Sequence, residues 1–439
     1  MSAIEQQRGA EPSGPPPGSW APLFSIGERL TRPLRRLLAF EATSGLLLIA
    51  AAVAALLWAN SSASSSYGSI WHSELGVRLG TFSFARSLEW FVNDVLMAIF
   101  FFVVGLEIRK ELHDGQLSEW RRAVLPVVAA LGGMVVPASI YLGLAGAGET
   151  RAGWGIPMAT DIAFALGVLI LLGKRVPAAL RVLLLAVAVI DDLGAILVIA
   201  LFYSSGIAVS GLLLAALGVL LILGLGALGV RRMPIYVAPA VLVWAGVYAA
   251  GVHPTIAGVI VGLLTPVRAW QGVESEAPAD FLLHALHPWV SYVIMPIFAL
   301  ANSGVTLSGV SLSPGAPLRA GSAVILALLL GKPVGVVAAS AFALRTKLAV
   351  LPAGLTRRHV LVLGVVAGIG FTMSLFLAQL AFGEEETLLG AAKLGVLVGS
   401  GLALTIGLVL GRLVLPEPAR RLKLGAAQNS SVGSELDRQ

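Results

Sequence analysis

Long apolar runs alternate with short polar breaks from about residue 38 to about residue 413. Most runs approach or reach roughly twenty residues, the length of an α-helix that crosses the hydrocarbon core of a bilayer. Many of them are apolar on every face, so lipid rather than water is their expected surrounding. The pattern predicts an all-α polytopic membrane protein with about 12 transmembrane helices. These helices are predicted near residues 38–59, 88–108, 123–145, 153–173, 178–202, 207–229, 234–250, 252–268, 286–305, 320–344, 359–382 and 391–413.

The two ends of the chain lack these apolar runs. Residues 1–36 are polar and rich in proline, without the apolar segment of a signal peptide. Residues 415–439 are polar as well. The pattern therefore predicts a disordered N-terminal tail, a transmembrane domain over residues 37–414 and a polar C-terminal tail.

The polar break between the first two predicted helices contains a different pattern. Residues Gly76–Phe84 alternate apolar and polar side chains, and a period of two is typical of β-strands. The alternation predicts a small β-hairpin, with a plain surface loop as the alternative. A hairpin in this loop would allow strand pairing between two copies of the chain, so a homodimer through this segment is a further expectation.

The composition agrees with a membrane protein. Charged residues make up 12% of the chain and hydrophobic residues 57%, whereas soluble domains contain about 25% charged residues. The net charge of +6 does not indicate a nucleic-acid partner, because the basic residues form short clusters between the apolar runs. The sequence contains no cysteine, which excludes disulfides and thiol-ligated metals.

The positions of the basic clusters predict the orientation of the helices. They fall in alternate breaks, and basic residues are enriched on the cytoplasmic side of membrane proteins. Both tails are therefore expected in the cytoplasm, which requires an even number of helices, and the hairpin is expected in the periplasm. The clusters are Arg29, Arg32, Arg35 and Arg36; Arg109, Lys110, Arg121 and Arg122; Lys174, Arg175 and Arg181; Arg231 and Arg232; Arg345, Lys347, Arg357 and Arg358; and Arg412, Arg420, Arg421 and Lys423.

Four charged residues lie near the middle of predicted helices. Lys332 is thirteen residues from the nearest basic residue on either side, and Asp191 and Asp192 follow Arg181 by ten and eleven residues. Asp161 has a similar depth in its own helix. Each such charge costs about 2.5–3.5 kcal/mol on membrane-insertion scales. Four of them at one depth therefore predict a shared polar cavity.

Glycine or proline interrupts two predicted helices near their middle. The segments are Gly153–Asp161 and Gly368–Ser374, the second with Thr372 at its centre. They belong to the fourth and eleventh helices, which correspond if helices 3–5 and 10–12 form inverted-topology repeats. Transporters with such repeats use broken helices that cross at the membrane midplane. Asp161 and Lys332 would then neutralise the partial charges at the half-helix ends, or Asp161 would contact the ion directly.

Lys332, the basic residue near the midplane, has two possible roles. Lys332 and Asp191 would form either a fixed structural salt bridge or a pair whose rearrangement moves a proton. Lysine suits the second role because it can release a proton, which arginine effectively cannot do in proteins. This chain contains 24 arginines and 6 lysines, yet lysine stands at the midplane.

Several motifs, taken in order, resemble the NhaA-type sodium/proton antiporters. The resemblance covers residues 38–413 and implies an inverted-repeat fold in the bacterial inner membrane. It further implies electrogenic exchange of Na⁺ or Li⁺ for H⁺, serving pH and sodium homeostasis, with no cofactor besides the transported ions. The matching runs are Trp90–Asp94, Phe102–Glu107, Ala159–Gly167, Ile190–Ala195, His253–Gly258 and Gly368–Ser374.

The same resemblance implies roles for the midplane residues. Asp192 is expected to be the principal ligand of the transported cation, with Asp191 beside it. Thr160 and Asp161 match the first unwound segment of the family. Lys332 matches a lysine that is essential in the family.

Four residues outside this cluster are candidates for support or for pH sensing. Asp94 lies toward the periplasmic end of its helix, where a structural role is favoured. Glu107 and Glu111 share one helix face at the cytoplasmic end, as a solvated helix end, an entry funnel or a pH sensor. His253 would set the pH response or make a structural hydrogen bond. Leu283 stands where some relatives have an acid, so the pH-activation profile of the family does not carry over by resemblance.

Three other functions were weighed against antiport. A transporter that couples cations to an organic solute would need more polar residues at the midplane. An intramembrane aspartyl protease would use Asp161 with Asp192, but Lys332 would disturb a pair of carboxyl groups that shares a proton. A passive channel would conduct without proton coupling. The sequence therefore favours a transporter over an enzyme.

Overall fold

The computed structural model describes residues 42–79, 82–204, 206, 208–230, 232–268, 276–307 and 315–415. The predicted tails lie outside these residues, apart from Leu415, so their structure stays a prediction. The helices are α1 (Ala42–Ala59), α2 (Ser64–Trp71), α3 (Leu88–His113), α4 (Trp120–Ala145), α5 (Ile162–Leu171), α6 (Ala178–Phe202), α7 (Val209–Ala227), α8 (Met233–Ala249), α9 (Thr255–Leu264), α10 (Pro278–Asn302), α11 (Ala316–Arg345), α12 (Arg357–Ala367), α13 (Phe371–Phe382) and α14 (Glu386–Val414). A 3-10 helix, Glu149–Met158, precedes α5, and π-helical turns interrupt α3, α10 and α11 at Phe91–Leu96, Val290–Ile294 and Ala327–Gly331.

Many of these helices are long and apolar enough to cross a bilayer. Within the described residues, seven pass on their own: α3, α4, α6, α7, α10, α11 and α14. Three bent pairs bring the number to ten. The shorter helices α8 and α9 correspond to the seventh and eighth predicted helices. The prediction of a polytopic helical membrane protein is confirmed, and the count of twelve crossings stays a prediction.

The three bent pairs differ in their angle. The 3-10 helix meets α5 at 43° and α12 meets α13 at 44°, so each pair continues through the protein as one interrupted helix. These interruptions fall in the fourth and eleventh predicted helices, where glycine and proline indicated them. The chain turns by 115° between α1 and α2, which the sequence analysis did not predict.

Helix α6 lies at the centre of the described structure. In the apolar stretch of α6, 72% of the residues are buried, whereas the corresponding share is 22% in α7 and in α10. Helix α4 packs against α6, and α11 packs against α4 at very short distance because the backbones of α4 and α11 meet at glycine. A Cβ atom placed on Gly132 would lie 2.3 Å from the carbonyl oxygen of Gly335, so only glycine fits there. This crossing brings the middle of α11 close to α6.

Two antiparallel strands, β1 (Glu74–Leu79) and β2 (Phe82–Ser87), precede α3. In their register Gly76 is opposite Ala85, and Glu74 is opposite Ser87. Arg86 attaches β2 to α8, since its guanidinium donates a hydrogen bond of 2.8 Å to the hydroxyl of Tyr248. The strands overlap the predicted segment, residues 76–84, and extend beyond it at both ends. A hairpin connection between them, their position in the periplasm and their pairing with a second copy stay predictions.

An ion pair joins α10 to α3. Asp280 lies in the first turn of α10. It accepts a hydrogen bond from Lys110 Nζ at 2.5 Å, and the two side chains are 32% and 48% exposed. Helix α10 begins earlier than predicted because Pro278 is compatible with the first turn of a helix.

Candidate functional site

The two interrupted helices meet at their breaks. The backbone amide of Asp161 donates a hydrogen bond of 2.8 Å to the carbonyl oxygen of Ile369. The hydroxyl of Thr160 lies 3.0 Å from the carbonyl oxygen of Ala367. Both contacts join the first break to the second interrupted helix, at Ile369 in its break and at Ala367, the last residue of α12. Carbonyl and amide groups freed at the breaks are thus satisfied by the opposite segment, as burial in a membrane protein requires.

Asp161 caps two helices at once. Its Oδ1 atom accepts a hydrogen bond of 3.1 Å from the amide of Phe164 in α5. Its Oδ2 atom accepts from both the amide, at 3.2 Å, and the hydroxyl of Thr372 in α13. A carboxylate is favourable at a helix N-terminus, and here one carboxylate serves two of them. Of the two roles left open for Asp161, this geometry favours neutralisation of the half-helix ends.

Lys332 lies at the C-terminal end of a helix, whereas Asp161 lies at two helix N-termini. Its Nζ atom donates a hydrogen bond to the carbonyl oxygen of Met158, at the C-terminal end of the 3-10 helix. The same atom lies 2.9 Å from Asp191 Oδ2, and neither side chain has any exposed surface. A cation is favourable at a helix C-terminus, so Lys332 stabilises the first break and pairs with Asp191 on α6.

Asp191 receives two polar partners on one oxygen. Besides Lys332, the hydroxyl of Thr160 lies 2.7 Å from Asp191 Oδ2. That hydroxyl has a single proton, so it serves either Asp191 or the carbonyl oxygen of Ala367 at a given moment. The other oxygen of Asp191 is buried and has no hydrogen-bond partner among the described residues.

Asp192 is the exception in this cluster. It is 1% exposed, and no hydrogen bond or ion pair joins it to any residue that the structure describes. Its buried Oδ1 atom has no donor. An ionised carboxylate without a partner is very unfavourable in an apolar interior. Asp192 is therefore a site that requires either a cation or a proton, which is the chemistry of cation/proton exchange.

Asp94 and His253, which the sequence analysis treated separately, come together. His253 Nε2 lies 3.6 Å from Asp94 Oδ1, and His253 Nδ1 lies 3.0 Å from the hydroxyl of Thr255. Glu107 and Glu111 are one turn apart on α3, and both are partly buried. In the described part of the chain, Asp94, Glu107 and His253 form no hydrogen bond with the residues of the two breaks.

The structure adds polar residues that sequence reasoning missed. The hydroxyl of Ser400 in α14 accepts a hydrogen bond of 3.0 Å from the amide of Phe371, the first residue of α13. Lys393, also in α14, is buried. A charged residue inside a predicted apolar helix was a usable signal for Lys393. No sequence signal identified the carbonyl of Met158, since every residue carries that group.

Comparison with known proteins identifies the family of this chain. A family model described as Na+/H+ antiporter 1 matches residues 35–410. The chain belongs to the Na+/H+ antiporter 1 family. The resemblance noted from the motifs is thereby confirmed. Because this family consists of transporters, membership also confirms the expectation of a transporter rather than a protease.

Three proteins named as sodium/proton antiporters are similar to this chain over most of their length. Na(+)/H(+) antiporter NhaA 2 of Myxococcus xanthus strain DK1622 is 55% identical, over 92% of this chain and 94% of that protein. Na(+)/H(+) antiporter NhaA 2 of Sorangium cellulosum strain So ce56 is 48% identical, over 95% and 97%. Na(+)/H(+) antiporter NhaA of Bordetella petrii is 45% identical, over 92% and 94%.

Proposed function

We propose that this chain exchanges Na⁺ for protons across the membrane, with Asp192 as the carboxylate that holds either ion. The observation that supports this most is the isolation of Asp192, a buried carboxylate with no hydrogen-bond or ion-pair partner among the described residues, beside Asp191, whose Oδ2 atom contacts both Lys332 and Thr160. The names of the relatives and the family membership point to the same activity.

Competition for one carboxylate is sufficient for coupled exchange. Sodium is a hard cation that prefers oxygen ligands, which carboxylates, backbone carbonyls and water supply. A proton on the same oxygens excludes the cation. If the site opens to one side of the membrane at a time, the carboxylate can bind one ion only after it has released the other. Lithium has the same preference for oxygen and is expected as a second substrate.

The pair of Lys332 and Asp191 gives the site a second group that can change its proton content. A cation that enters beside Asp191 would weaken the ion pair, and a neutral lysine would leave room for it. Exchange of two protons for one sodium ion moves one net charge inward. Each such charge is worth about 2.3 kcal/mol per 100 mV, so the membrane potential would drive sodium out of the cell.

The architecture proposed with this activity is that of an inverted repeat. The first unit consists of α4, the 3-10 helix with α5, and α6; the second consists of α11, α12 with α13, and α14. In each unit the middle member is interrupted, and the two interruptions contact each other. We further propose twelve crossings, cytoplasmic termini, a bacterial inner-membrane location and a homodimer through β1 and β2.

The decisive experiment measures proton movement in everted membrane vesicles that hold a preformed pH gradient. Addition of Na⁺ or Li⁺, but not K⁺, should collapse the gradient when the unaltered protein is present. Asp192→Asn should abolish the response, whereas Asp280→Asn, an exposed acid replaced in the same way, should retain it. Absence of any response to Na⁺ and Li⁺ between about pH 6.5 and pH 9, a range around the reference pKa of histidine and the physiological pH, would contradict the proposal. A gradient that only an organic solute collapses would indicate a solute transporter.

A further inference from the structure

A buried histidine lies in the first turn of α12. His359 is the third residue of this helix and is 1% exposed. The helix has 11 residues, about 16 Å, and ends at Ala367 beside the second break. One end of α12 therefore carries a titratable group that the proposed exchange does not use, and the other end lies at the ion site.

The side chain of His359 caps the N-terminus of α12. Its Nδ1 atom accepts a hydrogen bond of 3.0 Å from the backbone amide of Thr356, the N-cap residue. The hydroxyl of Thr356 lies 2.8 Å from the same atom. A side chain at this third position that accepts from the N-cap amide belongs to a capping box, in which glutamate or glutamine is the usual residue. Histidine takes that place here, so the cap contains a group that can bind a proton near neutral pH.

This hydrogen bond determines which nitrogen of His359 carries the proton. A backbone amide can only donate, so Nδ1 must present its lone pair to Thr356. The neutral ring therefore carries its proton on Nε2, and a second proton can bind only at Nδ1. That proton would remove the acceptor of the Thr356 amide and place a positive charge at a helix N-terminus, where a cation is unfavourable. The cap and a protonated ring therefore exclude each other.

The charged residues at this end of α12 are basic. Helix α12 packs against α5, α6, α11 and α14. Within the described ranges, neither these helices nor the turns next to them carry an acidic residue at this end, so they supply no carboxylate that would favour a protonated ring. The basic residues are Arg357 and Arg358 in α12, Lys174 and Arg175 after α5, Arg181 in α6, Arg345 and Lys347 at the end of α11, and Arg412 in α14.

Two contacts connect α12 to the ion-binding groups. The carbonyl oxygen of its last residue, Ala367, lies 3.0 Å from the hydroxyl of Thr160, which in turn lies 2.7 Å from Asp191 Oδ2. Further toward the cap, a Cβ atom placed on Gly364 would lie 3.1 Å from the carbonyl oxygen of Pro333, the residue after Lys332. A shift of α12 along its axis would therefore reach Asp191 through Thr160, and Lys332 through Pro333.

We propose that His359 is a positioning residue for the exchange. With a neutral ring it fixes the first turn of α12 and so holds the second break against Thr160. A proton on Nδ1 opens the cap, allows α12 to shift and lowers the maximal rate of exchange. This assignment rests on the proposed antiport, because it describes a control of the same site.

Substitution by glutamine separates the cap from the proton. Glutamine can accept the same amide bond but does not titrate. Exchange is measured in everted vesicles at saturating Na⁺. Competition at Asp192 leaves this maximal rate unchanged, so a fall in the rate below about pH 7 reports on the cap. His359→Gln should match the unaltered protein at about pH 8 and exceed its rate by roughly threefold or more at about pH 5.5, where an ordinary histidine is mostly protonated.

Two further variants complete this comparison. His72→Gln replaces a histidine whose side chain is 75% exposed, and it should leave the pH profile of the maximal rate unchanged. His359→Ala lacks the cap at every pH, so its rate should be low over the whole range. If this variant does not fold, His359→Gln decides the test, because it keeps the cap. A glutamine variant whose rate falls at acid pH in parallel with that of the unaltered protein would overturn the proposal.

Amide hydrogen exchange of the purified protein in detergent tests the cap without transport. The protection factor of the Thr356 amide corrects for the intrinsic effect of pH on hydrogen exchange. It should fall roughly fivefold or more between about pH 8 and about pH 5.5 in the unaltered protein, and stay constant in His359→Gln. Constant protection in the unaltered protein would contradict the proposal, even if the vesicles exchange Na⁺ for protons. Protection that depends on pH, without any response of the vesicles to Na⁺, would contradict only the antiport.

Discussion

Lys332 Nζ lies 2.9 Å from Asp191 Oδ2, and both side chains are completely buried. Asp192, the next residue of α6, has no such partner among the described residues. Successive residues of an α-helix point about 100° apart, so the two carboxylates face different surroundings although they share a helix. In this structure one carboxylate is paired with a lysine, and the other is the group that we propose for the transported ion.

Removal of either partner of this ion pair should destabilise the protein strongly. Lys332→Gln or Asp191→Asn leaves an unpaired buried charge, which costs about 3–5 kcal/mol of unfolding free energy. The double variant carries neither charge and should be more stable than either single variant. Thermal unfolding of the purified protein in detergent measures the effect.

The exposed pair of Lys110 and Asp280 provides the matched control for these single and double variants. Its side chains are 48% and 32% exposed, and exposed pairs contribute about 0–1 kcal/mol. Lys110→Gln and Asp280→Asn should therefore change the unfolding temperature little. Equal effects of the two pairs would contradict the assignment of a buried pair.

Loss of the Thr160 hydroxyl should weaken the site. Thr160→Val keeps the shape of the side chain but removes the hydroxyl whose oxygen lies 2.7 Å from Asp191 Oδ2. A buried acceptor that loses its donor costs about 1–3 kcal/mol, so stability and Na⁺ exchange should both fall. Thr405→Val is the control, because that hydroxyl is exposed and bonds only the carbonyl of Gly401 in its own helix. Similar unfolding temperatures for the two variants would count against a polar contact at Asp191.

The close contact between α4 and α11 should tolerate no side chain. Gly132→Ala places a Cβ atom 2.3 Å from the carbonyl oxygen of Gly335, so the helices must separate and Lys332 must shift. We expect at least a tenfold loss of exchange rate, as a displacement of about 1 Å at a site can cause. Gly143→Ala, in the same helix with nothing within 4 Å, should exchange normally. Normal exchange by Gly132→Ala would show that this helix contact does not set the position of Lys332.

Competition at Asp192 predicts a definite dependence on pH. If one proton is displaced by each sodium ion, the half-saturating Na⁺ concentration should rise as the pH falls, by up to about tenfold per unit, as mass action requires. The maximal rate at saturating Na⁺ should stay the same within that range. Vesicle assays over several Na⁺ concentrations at each pH measure both quantities. A half-saturating concentration independent of pH would mean that the proton and the cation bind at separate groups.

The depth of the central charges could be predicted from sequence because charge inside a membrane is so unfavourable. The distances from flanking arginines placed Asp161, Asp192 and Lys332 at one level, and glycine with proline indicated the breaks. Contacts between distant segments could not be predicted, since hydrophobic periodicity does not say which helices are neighbours. The meeting of Asp94 with His253 is such a contact. The hydrogen bond from Lys332 to the carbonyl of Met158 could not be predicted either, because every residue has a carbonyl group.

The crossing of the two breaks is fastened in part by main-chain groups, as in the bond from the amide of Asp161 to the carbonyl of Ile369. Every residue type carries a carbonyl, and every type except proline carries the amide proton. This backbone contact therefore does not depend on which side chains lie at the break. Mutation can alter the side chains that face the ion while the backbone contact persists, so the transported ion can change during evolution while the fold stays the same.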